Sequence, residues 1–182
     1  MSTRTALRWW PVIAVVGLFA LGWAVGKGST PLDDRFFQLH LPDWLGDFVE
    51  APVQAAVLGA AVVYAMWRKR WRLAAVVAVC PPLAVATAQL LKQLFGRDND
   101  GGLAYPSGHV TGLVSIAGMV VLVSGCRLWA VVSAAVVVLV GMVVVGTSFH
   151  YFTDTVGALL LASAYVAVAA LLVAPRRRRR VT

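Results

Sequence analysis

The sequence predicts an all-α, polytopic membrane protein: a bundle of six transmembrane helices. Three observations carry this. Of 182 residues, 60% are apolar and only 13% charged, with a mean hydropathy of +0.80. Ordinary soluble domains carry roughly 45–50% apolar and about 25% charged residues, so too little polar surface exists to cover a soluble globule. That composition excludes a cytosolic enzyme, a disordered chain and a disulfide-stapled secreted domain. The second observation is six stretches free of Asp, Glu, Lys, Arg and His, and the third is a one-sided map of charge.

The six stretches are Trp9–Gly26, Ala51–Trp67, Leu73–Leu91, Val110–Gly125, Leu128–Phe149 and Thr155–Ala174, of 16 to 22 residues. A hydrocarbon core of about 30 Å takes roughly 20 helical residues, with a range of about 17–25. The fourth reaches that length if its helix begins at Pro106, since proline suits the first helical position. The first runs through Gly22 and Gly26 without a small-residue cleavage box, and reads as an anchor rather than a cleaved signal. All six read as helices because lipid leaves no partner for strand edges. Gly59, Ala60, Gly118, Gly141 and Gly157 are candidates for close helix packing. Pro81-Pro82 should kink the third span. Cys80 within an apolar run and Cys126 beside Arg127 do not suggest a disulfide framework. The whole chain, 1–182, reads as one membrane domain with a basic tail at 176–180.

Six crossings put both termini on one side. One set of loops holds Arg4, Arg8, Arg68, Lys69, Arg70, Arg72, Arg127 and Arg176 to Arg180, which is 12 of the 16 Lys and Arg. The other holds Lys27, Arg35, Lys92 and Arg97, with all eight acidic residues. The positive-inside rule places both termini in the cytoplasm, in a multi-pass protein expected in a plasma membrane of bacterial type. The arginine tail reads as a topology lock and anionic-lipid contact rather than a nucleic-acid site. No nucleic-acid partner is expected, and a homo-oligomer is left open.

His40, His109 and His150 all fall on the outer side, and the polar chemistry gathers there in three stretches: Lys92 to Asp100, Tyr105 to His109 and His150 to Asp154. Lys92 and Arg97 supply two cations. Pro106 starts a helix whose first-turn N–H groups, beside Ser107 and Gly108, form an anion cradle. His109 lies in that turn. His150 and Asp154, spaced i,i+4 on a helical turn, share one face, so the carboxylate can accept the imidazole N–H and leave the other nitrogen as a nucleophile. His109 can protonate a leaving oxygen. Together they make a phosphate-shaped site. A metal site built from His109, His150 and Asp154 is the competing reading, but Lys92 and Arg97 repel a divalent ion and attract an anion. The segment Asp33–Glu50, with Phe36, Phe37, Leu39, Leu41, Trp44 and Leu45 among acids, reads as an interfacial flap. His40 is given no role.

On Pro106-Ser107-Gly108-His109, the His150…Asp154 pair and Lys92, the chain resembles the type 2 phosphatidic acid phosphatase superfamily of membrane lipid phosphatases. The resemblance implies a six-helix bundle and a metal-independent phosphoric monoester hydrolase with no cofactor. His150 would be the nucleophile forming a phosphohistidine, Asp154 its partner and His109 the acid that releases the alcohol. Lys92, Arg97, Ser107 and Gly108 would hold the phosphoryl oxygens. Two positions depart from the family: its Arg-Pro is Asn99-Asp100 here, and its Ser-Arg is Val143-Val144. With two cations fewer, a membrane lipid or polyprenyl-linked monophosphate is the expected substrate, at the outer face. A polyprenyl diphosphate phosphatase and a catalytically silent lipid-phosphate-binding or scaffold protein are the alternatives. A transporter is disfavoured, since no span carries a charged residue to mark a pathway.

Overall fold

The computed structural model of the chain describes residues 3–39, 41–99 and 102–174; His40, Asp100 and the tail Arg176 to Arg180 lie outside the described residues. Helix α1 (Thr3–Val25) leads through a short helix α2 (Pro31–Phe37) and a 3-10 segment (Asp43–Val49) to α3 (Ala51–Trp67). Then come α4 (Trp71–Phe95), a two-stranded antiparallel hairpin, α5 (Gly108–Val123), α6 (Leu128–Ser148) and α7 (Phe152–Val173). The architecture is all-α. Four helices, α1, α4, α6 and α7, are long and apolar enough to cross a membrane, while α3 and α5 are shorter apolar helices.

The boundaries have local causes. Thr30 caps α2 by accepting the N–H of Asp33, whose carboxylate returns a bond to the Thr30 N–H, a reciprocal box that satisfies two orphan donors. Helix α4 runs unbroken through Pro81 and Pro82 and stops at Gly96, which takes the left-handed φ of 56°. The fourth expected span begins later than its sequence suggests. Pro106 follows a cis bond in the approach, Ser107 is the N-cap, and Gly108 is the first helical residue. Ser107 takes that place because its hydroxyl accepts the Val110 N–H, which a proline at the first position would not require.

Helix α5 is the centre of the bundle, packed against α3, α4, α6 and α7, and α1 lies along α7. One cluster (Val110, Leu113, Met142, Val145, Ala158) lies towards the start of α5, and another (Ala65, Val77, Met119, Val123, Ala169) towards its end. Gly118, Gly141 and Gly157 face Val166, Leu113 and Tyr105, as close helix packing requires. Gly59 faces open space and Ala60 is exposed, so this pair is not at a helix interface. The outside is as apolar as the inside: Ile13, Val16, Val63, Leu90, Leu94 and Leu139 are all more than half exposed. Lipid, not water, is the solvent such a surface suits.

Candidate functional site

The ends of α1, α4 and α6 and the starts of α3, α5 and α7 meet at one end of the bundle, and all the expected site residues lie there. The connection after Gly96 drops Arg97 into the protein, where it is fully buried. Its Nε and Nη2 donate to the Gly28 carbonyl at 3.1 and 2.8 Å, and Nη2 also donates to Asp33 Oδ2 at 2.9 Å. Its Nη1 donates to Thr153 Oγ1 at 2.6 Å and Asp154 Oδ1 at 2.7 Å. The guanidinium lies 4.3 Å from the Tyr151 ring centroid. A guanidinium has five N–H donors, and these bonds engage every one. Arg97 therefore differs from its expected part as a phosphate cation. It is the hub of a buried ion network, because two buried carboxylates compete for it before any substrate arrives.

Asp33 is equally buried. It accepts the Thr153 N–H at 2.9 Å, the Thr153 hydroxyl at 3.1 Å and the Thr30 hydroxyl at 2.8 Å. Burial alone would raise its carboxyl. The bonds from Thr153 and Thr30, with Arg97, outweigh that and hold it below the ordinary 3.8. The segment expected as an interfacial flap is thus pinned through Asp33, and Phe36 stacks on Phe152 at 3.8 Å between centroids.

His150 is not on a helical turn with Asp154. It follows the end of α6, its N–H on the Val145 carbonyl, and precedes the N-cap Tyr151 of α7, with Asp154 at the third helical position. The two still converge, with Nδ1 of His150 3.7 Å from Asp154 Oδ2, too long for a hydrogen bond. That Nδ1 is buried and has no hydrogen-bond partner among the described residues. Asp154 Oδ2 meanwhile accepts the Tyr151 N–H at 3.2 Å.

Across from it stands the start of α5. The Asp154 carbonyl accepts the Ser107 N–H at 3.2 Å, which fixes the two helix starts together. Ser107 is buried, Gly108 and His109 half-buried. The His109 ring centroid lies 6.0 Å from that of His150 and 5.8 Å from that of Phe149. Gln54 on α3 donates to the carbonyls of Val49 and His109 at 2.7 and 3.1 Å, bracing the first turn of α5. Lys92, in the last turn of α4, is half-buried and makes no side-chain hydrogen bond among the described residues. It lies within electrostatic reach of Asp154 and His109. The structure thus brings together Lys92, Ser107, Gly108, His109, His150 and Asp154, and turns Arg97 inward.

The two departures from the family pattern also find places. Asn99 donates to the Phe149 carbonyl at 3.0 Å, holding the loop that carries His150. Val144 is 2% exposed in the α6 core, where a cation would have no solvent. Sequence reasoning missed Asp33, Thr153, Tyr151 and Gln54. Thr30-Pro31-Leu32-Asp33 is legible as a capping box, but nothing local ties it to an arginine 64 residues on. Among the described residues, no three His, Cys, Asp or Glu side chains are grouped as a metal site would need. An apolar groove of about 310 Å³ opens beside Gln54 and Phe48 and runs between α3 and α6 over Leu113 and Ile116.

No protein-family model matches the sequence, and no curated protein matches it. A solved structure does. The crystal structure of a transmembrane PAP2 type phosphatidylglycerolphosphate phosphatase from Bacillus subtilis superposes with a TM-score of 0.72 at 14% sequence identity. The match covers 88% of this chain and 94% of that one. The chain has the fold of a PAP2-type transmembrane phosphatase.

Proposed function

We propose that the protein is an integral membrane lipid phosphatase. It hydrolyses a phosphate monoester on a lipid or polyprenyl-linked headgroup, through a phosphohistidine at His150. The observation that carries this reading is the buried, unpartnered Nδ1 of His150, facing Asp154 while its ring stands 6.0 Å from that of His109. Catalytic hydrogen bonds are often long before substrate binds.

With Nδ1–H turned to Asp154, Nε2 attacks phosphorus and the P–O bond to the alcohol breaks. His109 gives its proton to the leaving oxygen. Water then attacks the phosphohistidine, His109 takes a proton from it, and inorganic phosphate leaves. Lys92, the Ser107 hydroxyl and the free N–H groups of Gly108 and His109 hold the phosphoryl oxygens at the positive end of α5. Arg97 holds Asp154 in place. The chemistry draws on no metal or cofactor.

The charge count supports a monophosphate. A phosphate monoester carries about −1.5 to −2. With Arg97 engaged, Lys92 and a helix start worth about +0.5 charge remain. The Bacillus protein's named substrate, phosphatidylglycerolphosphate, belongs to the lipid phosphate class. The lipid chain would lie in the groove between α3 and α6. Six spans, cytoplasmic termini and an outward site complete the proposal, supported by the charge map. The engaged Arg97 also favours a second reading, a protein that binds lipid phosphate without turning it over.

Phosphate release by the purified protein separates the two. Release is expected from the wild type and is expected to vanish in His150→Ala with thermal unfolding unchanged. Near-wild-type release from His150→Ala would remove the phosphohistidine.

A further inference from the structure

A cavity of about 460 Å³ at the opposite end of the bundle takes no part in this chemistry. Val57, Ala60 and Val120 make its apolar length, and Arg68, Arg70 and Arg127 stand at its mouth. It continues the groove described above, sharing Val57, Val120 and Trp129 with it. Helices α3 and α6 flank it without substantial packing on each other, and α5 is its floor.

Three guanidinium groups gathered there have no internal counter-charge. All eight acidic residues of the chain belong to the other set of loops. Among the described residues, none of the three arginines is ion-paired. Arg70 donates to the Val123 carbonyl at 3.3 Å, while Arg68 and Arg127 make no side-chain hydrogen bond among the described residues. Trp67, Trp71 and Trp129, exposed by 72, 63 and 60%, stand at the same level. Such rings mark headgroup depth in a bilayer. A fitting ligand is anionic at the arginines and apolar along the groove, and it arrives from the lipid side. A free phosphate or a nucleic acid meets only the first condition.

We propose that this cavity binds an anionic phospholipid of the leaflet opposite the histidines. Its headgroup phosphate lies on Arg68 and Arg127, and one acyl chain lies between α3 and α6. Its headgroup end is distinct from the catalytic site in position and charge balance, and its acyl chain meets the substrate's chain end to end where the two grooves share Val57, Val120 and Trp129.

Native mass spectrometry of the full-length protein in detergent, supplied with phosphatidylglycerol or phosphatidylcholine, tests this. The wild type should retain phosphatidylglycerol by about tenfold or more over phosphatidylcholine, since each basic residue at headgroup depth adds a several-fold preference. Arg68→Gln/Arg127→Gln should lose the preference, and Ala60→Trp, a change at an exposed position, should lower retention by filling the groove. His150→Ala should keep it, and so should a variant with Arg176 to Arg180 all changed to Gln. Equal retention of both lipids by the wild type would overturn the proposal. So would a preference that survives the double substitution, or one that disappears with the tail arginines alone.

Discussion

Arg97 and Lys92 are five residues apart and carry the same charge, yet they sit in opposite circumstances. Arg97 is closed in by Asp33, Asp154, Thr153 and Gly28, while the Lys92 side chain makes no hydrogen bond among the described residues. Removing one partner of a buried ion network leaves the others uncompensated, at about 3–5 kcal/mol. Arg97→Ala should therefore unfold at a markedly lower temperature in detergent, whatever the substrate. Lys92→Ala should keep the wild-type Tm and lose about 10²-fold or more in phosphate release. A stable Arg97→Ala that lacks only activity would return that residue to the phosphate. Asp154→Asn should show both defects, because that carboxylate serves the arginine and the histidine at once. Asp33 adds a pH dependence. Its folded pKa is depressed, so its contribution is complete above its unfolded value near 3.8 and fades as pH falls through the folded one. The wild-type Tm should fall below about pH 4 more steeply than that of Asp33→Asn; parallel slopes would sink this account.

Among the elements, α1, α4 and α7 close on Tyr105. Its ring is fully buried, its hydroxyl donates to the Leu18 carbonyl at 2.6 Å, and Gly22 and Gly157 give it room. A Cβ on Gly157 would overlap that ring. Gly157→Ala should cost about 1–3 kcal/mol by overpacking, read as a drop in Tm. Gly59→Ala faces open space and should be neutral or slightly stabilising; equal losses from both would show that helix interior and lipid face are misassigned. The apolar runs made every long helix legible in the sequence, and Gly118, Gly141 and Gly157 were legible as contacts. Gly59 and Ala60 looked the same in sequence because a helix exposed to lipid is apolar on both faces, which erases the amphipathic signal. The start of α5 was misread for a different reason: proline suits either a first helical position or the turn before it, and the hydroxyl of Ser107 decided between them.

At the scale of the molecule, charge segregates by end. Among the described residues, the acids, His109, His150, Lys92 and Arg97 lie at one, and Arg68, Arg70 and Arg127 at the other. If the histidine end faces outward, the exposed native Cys126 beside Arg127 faces the cytoplasm. A membrane-impermeant maleimide should leave Cys126 unlabelled in intact cells and label it after permeabilisation, whereas Asn99→Cys in a Cys126→Ser background should label in intact cells. Labelling of Cys126 in intact cells would invert the orientation. This charge map and the three polar stretches were legible because they are properties of the linear chain. The partnership of Arg97 was not, since its anions come from residues 33 and 154, brought together by the packing of α1 and α2 against α7. That partnership has a consequence for biogenesis. A chain threaded into the membrane from its N-terminus makes Asp33 first, gains its cation only with Arg97, and lacks Thr153 and Asp154 until the last helix is made. The Asp33–Thr153 bond spans 120 residues. Until α7 arrives, the Asp33 carboxylate and the Arg97 guanidinium each lack two of their five bonds, and α1 has no α7 to lie along. The last helix is the keystone: before it is made, Asp33 and Arg97 have only each other, Thr30 and Gly28, and the network closes when Thr153 and Asp154 arrive.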